Sequence, residues 1–349
     1  MTADGELVWV DGIRLFARRF GDPALPMLIV VHGGPSWDHT YLTSPVCELA
    51  DQAHVVLFDL RGCGRSSRTP PVGHLPVAAL QPGFLADDLA ALIRHFGAAR
   101  ADVLGFSYGG GIAMRLADQH PNRVRSLILA STTAYQDHEP ERAASPDYQA
   151  RSLMCAQVTW DDPVLTAPDA PDGALSRAMA YASAPCDVWS LDRLPEWHRV
   201  LADIRFSSDW NAPHAAGQLR PGVPEDAEQI LRDWGRPVLI LHGSREMTFP
   251  VTLARKLHAA LPASTLAEIP GAAHMAHFDN PKPGYLQYAP SSATNSRDPD
   301  CSQRSQGRDL PARPDRWQPA TTSGPPPVLD DPATPGQRAL PHDRQTAGP

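Results

Sequence analysis

Three side chains in this chain could together move a proton and attack a carbonyl: Ser107, Glu246 and His274. Ser107 stands in Gly105-Phe106-Ser107-Tyr108-Gly109, after the apolar run 102–106 and directly before the helical pattern Ile112-Ala113-Met114-Arg115-Leu116-Ala117. That is a strand, a tight turn and a helix with a hydroxyl at the apex. A serine held on such a strained turn leaves no room for Cβ atoms two residues to either side, which favours glycine at 105 and 109 and projects the hydroxyl from the sheet. The hydroxyl is a weak nucleophile until an imidazole takes its proton, and the imidazole needs a carboxylate to fix its tautomer.

In chains with this serine turn the acid and then the histidine follow on loops after later strands. Glu246 is the first carboxylate past the apolar run 238–241, and His274 lies on the loop directly after the run 265–269. Glu246 is therefore the expected orienting acid and His274 the expected base. Asp137 is the alternative acid and His277 the alternative base, each less well placed relative to its strand. His274, His277 and Asp279 lack a further ligand at usable spacing, so no metal is expected, and no cofactor is implied. A tetrahedral intermediate needs donors aimed at its oxyanion. The N–H of Tyr108 supplies one, and Gly34 or Gly33, in the loop His32-Gly33-Gly34-Pro35 after the run Met27–Val31, supplies the second.

The elements that must position these residues are legible. Runs 7–10 and 13–20, joined by Asp11-Gly12, read as a hairpin. Met27–Val31 and 55–58 are continuously apolar, as strands buried on both faces are. A short helix is expected around 45–51, and a longer one over 84–96 from the spacing of Leu85, Leu89, Leu92, Ile93 and Phe96. Val124–Ala130 is one more strand. Strands alternating with helices predict the α/β class, a mostly parallel sheet covered on both faces. The sheet core is expected in two parts, 1–133 and 236–281, around an inserted helical lid, 134–235. That insertion holds five of the eight tryptophans, Trp160, Trp189, Trp197, Trp210 and Trp234. Trp189, Trp210 and the lid acid Glu196 are the candidates for contact with substrate; packing is the competing role for the tryptophans and solvation for Glu196.

Residues 282–349 differ in character. They carry about a dozen of the 37 prolines, no Ile, Phe, Met or Glu, and no periodicity, the composition of a disordered tail. Out-of-frame GC-rich coding has the same bias, so a reading-frame change near Lys282 is one expected origin and a genuine extension the other.

At 349 residues and 42% hydrophobic, the chain can bury a large core. Its net charge of -8 opposes binding to nucleic acid, and the expected partner is a small molecule or short peptide. The start shows no secretory signal, and no stretch is apolar enough to span a membrane, so a cytoplasmic protein is expected. Five scattered cysteines, Cys47, Cys63, Cys155, Cys186 and Cys301, suit reduced thiols.

With serine turn, glycine loop, acid and histidine in order, residues 7 to 281 resemble the α/β-hydrolase superfamily. His32-Gly33-Gly34-Pro35 and Asp59-x-Arg61-Gly62-Cys63-Gly64-Arg65-Ser66 look like the signatures of proline iminopeptidases and their relatives. The resemblance implies an α/β-hydrolase fold with a lid, release of N-terminal proline, and lid carboxylates such as Glu196, Glu225 or Glu228 holding the substrate amine. Four positions depart from that group's pattern: Ser36 and Phe106 each replace a glycine, Tyr108 replaces a tryptophan, and Glu246 stands for the usual aspartate. Where relatives carry a final helix, this chain runs into the tail. The function expected is a serine hydrolase of small esters or amides, most specifically an aminopeptidase. The alternatives are a carboxylesterase or lactonase-type hydrolase, or a non-catalytic small-molecule-binding relative.

Overall fold

The computed structural model of the protein describes residues 5–281. The tail 282–349 and its expected disorder lie outside the described residues.

Among the described residues eight strands form one sheet: β1 (Glu6–Val10), β2 (Ile13–Phe20), β3 (Met27–Val31), β4 (His54–Phe58), β5 (Ala101–Phe106), β6 (Val124–Ala130), β7 (Val238–Gly243) and β8 (Ser264–Ile269). Their order is β1-β2-β4-β3-β5-β6-β7-β8. The expected hairpin pairs β1 with β2, and β2 runs antiparallel to β4; every other pairing is parallel. This is the α/β-hydrolase fold that the sequence resembles.

The helices in chain order are α1 (Thr43–Val46), α2 (Pro82–His95), α3 (Tyr108–Gln119), α4 (Glu139–Ala144), α5 (Pro146–Ser152), α6 (Ala174–Asp187), α7 (Leu194–Asp203), α8 (Asn211–Ala215), α9 (Ala227–Trp234), α10 (Val251–Ala260) and α11 (Ala276–Asp279). None is long and apolar enough to cross a membrane among the described residues.

The continuous apolar runs have a two-sided cause. In β3, Ile29 and Val31 join a core with Leu85 of α2 and Ile112 of α3, whereas Leu28 and Val30 join a second core with Tyr41, Leu49 and Trp197. Alternate side chains thus meet opposite layers, and neither face of the strand tolerates a polar residue. Strand β8, at the edge, alternates instead.

The helix expected around 45–51 is formed by the end of α1 and a 3₁₀ turn, Cys47–Asp51, that continues it; just before it, Ser44 has φ −101° and ψ 130°. Ser44 precedes Pro45, whose ring drives the preceding residue out of the helical region.

Between β6 and β7 the chain forms α4 to α9. Arg68, after β4, reaches into this region, donating to Asp172 at 2.9 Å from each of two nitrogens and to Asp209 at 2.8 and 2.5 Å. The last helix, α9, lies on the α3 side of the sheet, whereas α6 and α7 share the core of the opposite face. Its Ala227 and Leu231 pack in the same core as Ile112 and Leu116 of α3, so it covers the sheet.

Candidate active site

Strand β5 delivers Ser107 at φ 52° and ψ −120°, backbone angles that a residue with a Cβ adopts only when its surroundings impose them. They do so here. The Ser107 N–H donates to Ala130 O at 2.9 Å, while Ser107 O accepts from Thr132 Oγ1 at 2.7 Å and Gly110 N at 2.9 Å. A Cβ on Gly105 would stand 2.6 Å from Gly109 O, and one on Gly109 would stand 2.3 Å from Val31 O. The glycine spacing is the cost of folding the turn back on its own strand and against β3.

The structure brings the three expected side chains together. His274 Nε2 is 3.1 Å from Ser107 Oγ, and His274 Nδ1 is 2.9 Å from Glu246 Oε2. Glu246 is buried, and its other oxygen accepts from the N–H groups of Thr248 at 2.8 Å and Phe249 at 3.3 Å. Burial opposes its charge, but the attraction and hydrogen bond of His274 prevail and hold the carboxyl below its ordinary range. Burial likewise pulls His274 down, and the Glu246 carboxylate outweighs it, so the imidazole lies above its ordinary value. Arg245 takes no part in this pair: it lies over Trp189 and meets Asp147 at 3.3 Å.

Glu246, rather than Asp137, is the carboxylate hydrogen-bonded to His274. His277 packs against Phe106 and Tyr41, and burial pushes it down to about 3, which leaves a neutral ring. The loop carrying His274 is held at both ends. Ala273 N donates to Asp279 at 2.8 Å, and Met275 N donates to the carbonyl of Asp187 at 2.8 Å.

Of the expected oxyanion donors, Tyr108 is the first residue of α3, where the N–H has no partner within the helix. Gly34 is exposed at φ 112°. Gly33 is corrected: its N–H donates to Tyr41 Oη at 2.8 Å. What position 33 supplies is space, since a Cβ there would come 2.9 Å from Ser107 Cβ. His32 is a clamp. Its Nε2 accepts from Leu60 N at 3.0 Å, which puts the proton on Nδ1 to donate to Gly33 O at 2.7 Å. Burial keeps this ring neutral by lowering it, as that tautomer requires.

The second signature also resolves into positioning. Asp59 accepts from His39 Nδ1 at 2.6 Å and from Arg65 N at 2.9 Å, and Arg61 forks onto Asp88 at 2.6 and 2.7 Å. A Cβ on Gly64 would lie 2.3 Å from Asp59 Oδ2. The motif thus folds the loop after β4 around one buried carboxylate.

The three candidates for substrate contact are otherwise occupied. Glu196 forms a half-exposed pair with Arg193, at 2.9 Å from each of two nitrogens. Trp210 is 2% exposed and packs edge-on against the Tyr108 ring. The Trp189 ring is in contact with the guanidinium groups of both Arg151 and Arg245. Glu228 is bound by Arg232 and Tyr135. A further carboxyl that acts electrostatically on His274 is that of Asp187, at the end of α6. It is buried, accepts from Ser183 Oγ at 3.1 Å, and burial pushes it up to about 7. The sequence held no signal for it, because 87 positions separate it from His274 and no periodicity links the two.

A sequence profile of the family described as alpha/beta hydrolase fold matches residues 26–281. A proline iminopeptidase of Xylella fastidiosa is 26% identical over 298 residues, covering 78% of this chain and 90% of that protein. Among solved structures, a proline iminopeptidase-related protein of Thermus thermophilus has a TM-score of 0.61 at 22% identity, covering 82% of this chain and 95% of its own. An esterase of Exiguobacterium antarcticum has a TM-score of 0.59 at 21% identity, covering 81% and 97%. At these identities the two structures speak for the fold.

Proposed function

The chain belongs to the α/β-hydrolase family, and from that premise we propose that it is a serine hydrolase working through an acyl-enzyme. The observation that carries the reading is His274 standing within hydrogen-bond reach of both Ser107 and Glu246. Ser107 Oγ attacks the acyl carbon while His274 Nε2 takes its proton, and Glu246 holds Nδ1–H and stabilises the imidazolium. The oxyanion falls to the N–H groups of Tyr108 and Gly34. His274 returns its proton to the leaving alkoxide or amine, and water, deprotonated by the same nitrogen, clears the acyl group.

Within this class we favour release of an N-terminal prolyl residue. Support comes from the iminopeptidase relative and from Asp187, whose buried carboxyl acts electrostatically on His274. A carboxyl pushed up to about 7 by burial is ionised by the arrival of a cation, so a substrate's free amine would find a partner there. The esterase reading needs no such partner.

Labelling with a fluorophosphonate probe tests the chemistry. Folded wild type is expected to label and Ser107→Ala is not; an unlabelled wild type would leave a ligand-binding relative as the better reading. Turnover of proline 4-nitroanilide beside 4-nitrophenyl acetate tests the specificity, and hydrolysis of the ester alone would overturn the peptidase reading.

A further inference from the structure

The five cysteines are scattered in sequence, but the fold brings two of them together. Cys155 follows α5 and Cys186 is the penultimate residue of α6, and their sulfurs stand 3.5 Å apart although 31 positions separate them. The approach is built by Arg151, in the last turn of α5. Its guanidinium donates to Pro185 O at 2.9 Å and to Trp189 O at 2.6 Å, and it lies over the Trp189 ring. A cation is thereby docked on the carbonyl end of α6, which fixes the two backbones that carry the thiols.

The surroundings of the two sulfurs differ. Cys186 is buried in a small cluster with Met247 and Ala273, whereas Cys155 is half-buried at its edge. Met247 follows Glu246 in the chain and Ala273 precedes His274. The pair therefore sits against both loops that carry the proposed acid and base. Cys47 and Cys63 have no sulfur within reach among the described residues.

We propose that Cys155 and Cys186 are a modification site: a hydroperoxide converts them to a reversible disulfide that staples α5 to α6 against the acid and base loops. Cys155, the less buried of the two, attacks the peroxide as thiolate; the O–O bond breaks, leaving a sulfenic acid on Cys155 and releasing water or an alcohol. The Cys186 sulfur then attacks the Cys155 sulfur, the S–O bond breaks, and hydroxide departs as water with the Cys186 proton. The two thiols lose two electrons and the hydroperoxide gains them. Burial, with Cys155 beside it, pushes the Cys186 thiol up to about 12, so Cys186 is the less reactive sulfur towards the peroxide and gives up its proton to the departing hydroxide only as the S–S bond forms. Bond formation requires the sulfurs to close by about 1.5 Å, within the reach of side-chain rotation.

The test uses the full chain, titrated with hydrogen peroxide, alkylated, and cleaved with trypsin without reduction. Cleavage after Arg151, Arg177 and Arg193 puts Cys155 in peptide 152–177 and Cys186 in peptide 178–193. The expected product is the linked pair, lower in mass by two hydrogen atoms and separated by dithiothreitol. The melting temperature of the oxidised chain rises by roughly 5–10 °C, because the bond constrains the unfolded chain, and the rise is lost on reduction. Cys155→Ser, at the half-exposed position, keeps the fold and shows neither the link nor the rise. Recovery of Cys155 as sulfinic acid, or linked to Cys301, with Cys186 alkylated on unfolding, would overturn the proposal. The mass readout needs no turnover and so stands apart from the hydrolase reading.

Discussion

His274 Nε2 stands 3.1 Å from Ser107 Oγ across 167 positions of chain, and it does so because β5 and β8 end at the same edge of one parallel sheet. The base must be neutral to accept the serine proton. Glu246 raises the imidazole above its ordinary 6.5, so kcat/KM should rise with pH through a midpoint above 6.5 and flatten beyond it. In Glu246→Gln that attraction is gone, only Asp187 still opposes burial, and the midpoint moves to lower pH. The kcat falls by about 10³–10⁴-fold, since the amide no longer holds the productive tautomer. A pH–rate series on both proteins checks the two effects.

Ser107→Gly should separate chemistry from strain. It abolishes labelling as Ser107→Ala does, yet it should unfold at higher denaturant than Ser107→Ala by about 1 kcal/mol, because only glycine occupies φ 52°, ψ −120° without cost. Urea midpoints of the two variants measure the difference; equal midpoints would mean that the turn is unstrained.

Gly109→Ala should destabilise by about 3 kcal/mol or more. The new methyl would meet the Val31 carbonyl at 2.3 Å, and neither backbone can give way without moving β3 or the serine turn. Chemical denaturation followed by circular dichroism reads the loss.

Arg68→Met should cost about 3–5 kcal/mol, since it strands the Asp209 carboxylate, which is 8% exposed, without its cation. Arg68→Met combined with Asp209→Asn should recover part of that loss. A double variant no more stable than the single one would show that the arginine acts through packing.

Asp187→Asn should raise KM for proline 4-nitroanilide at least tenfold, the loss of a charge-assisted hydrogen bond of roughly 1.5–3 kcal/mol, and leave KM for 4-nitrophenyl acetate unchanged. Stability gives a second readout. The folded carboxyl is pushed up to about 7 from 3.8, so its contribution is complete below pH 3.8 and lost as pH rises through about 7. The variant escapes that loss, and its melting temperature should gain on wild type between pH 5 and pH 8. Parallel melting curves decide this.

The sheet was legible because both its faces are buried: β3 and β6 coincide with the apolar runs expected. Glu246 and His274 were legible because each is the first suitable side chain after a strand, and a parallel sheet places all such loops at one edge. The region between β6 and β7 obeys no comparable rule. Its ties run from Arg68 to Asp172 and Asp209, 104 and 141 positions away, and composition carries no trace of such pairings. For the same reason Trp197 and Trp210 could be read as packing or as pocket, and the contact of Cys155 with Cys186 was invisible. The turn at Ser44 was different in kind: Pro45, where the expected helix begins, keeps the residue before it out of the helical region.

One carboxylate, Asp279, accepts both the N–H of Ala273, beside the base, and the N–H of Trp189, just past the end of α6, at 2.8 and 2.9 Å. The two segments share a single fastening. Residues 187–189 therefore cannot swing outward as part of a hinged cover without unseating His274, and a mobile entrance for substrate has to open along some other border of the insertion.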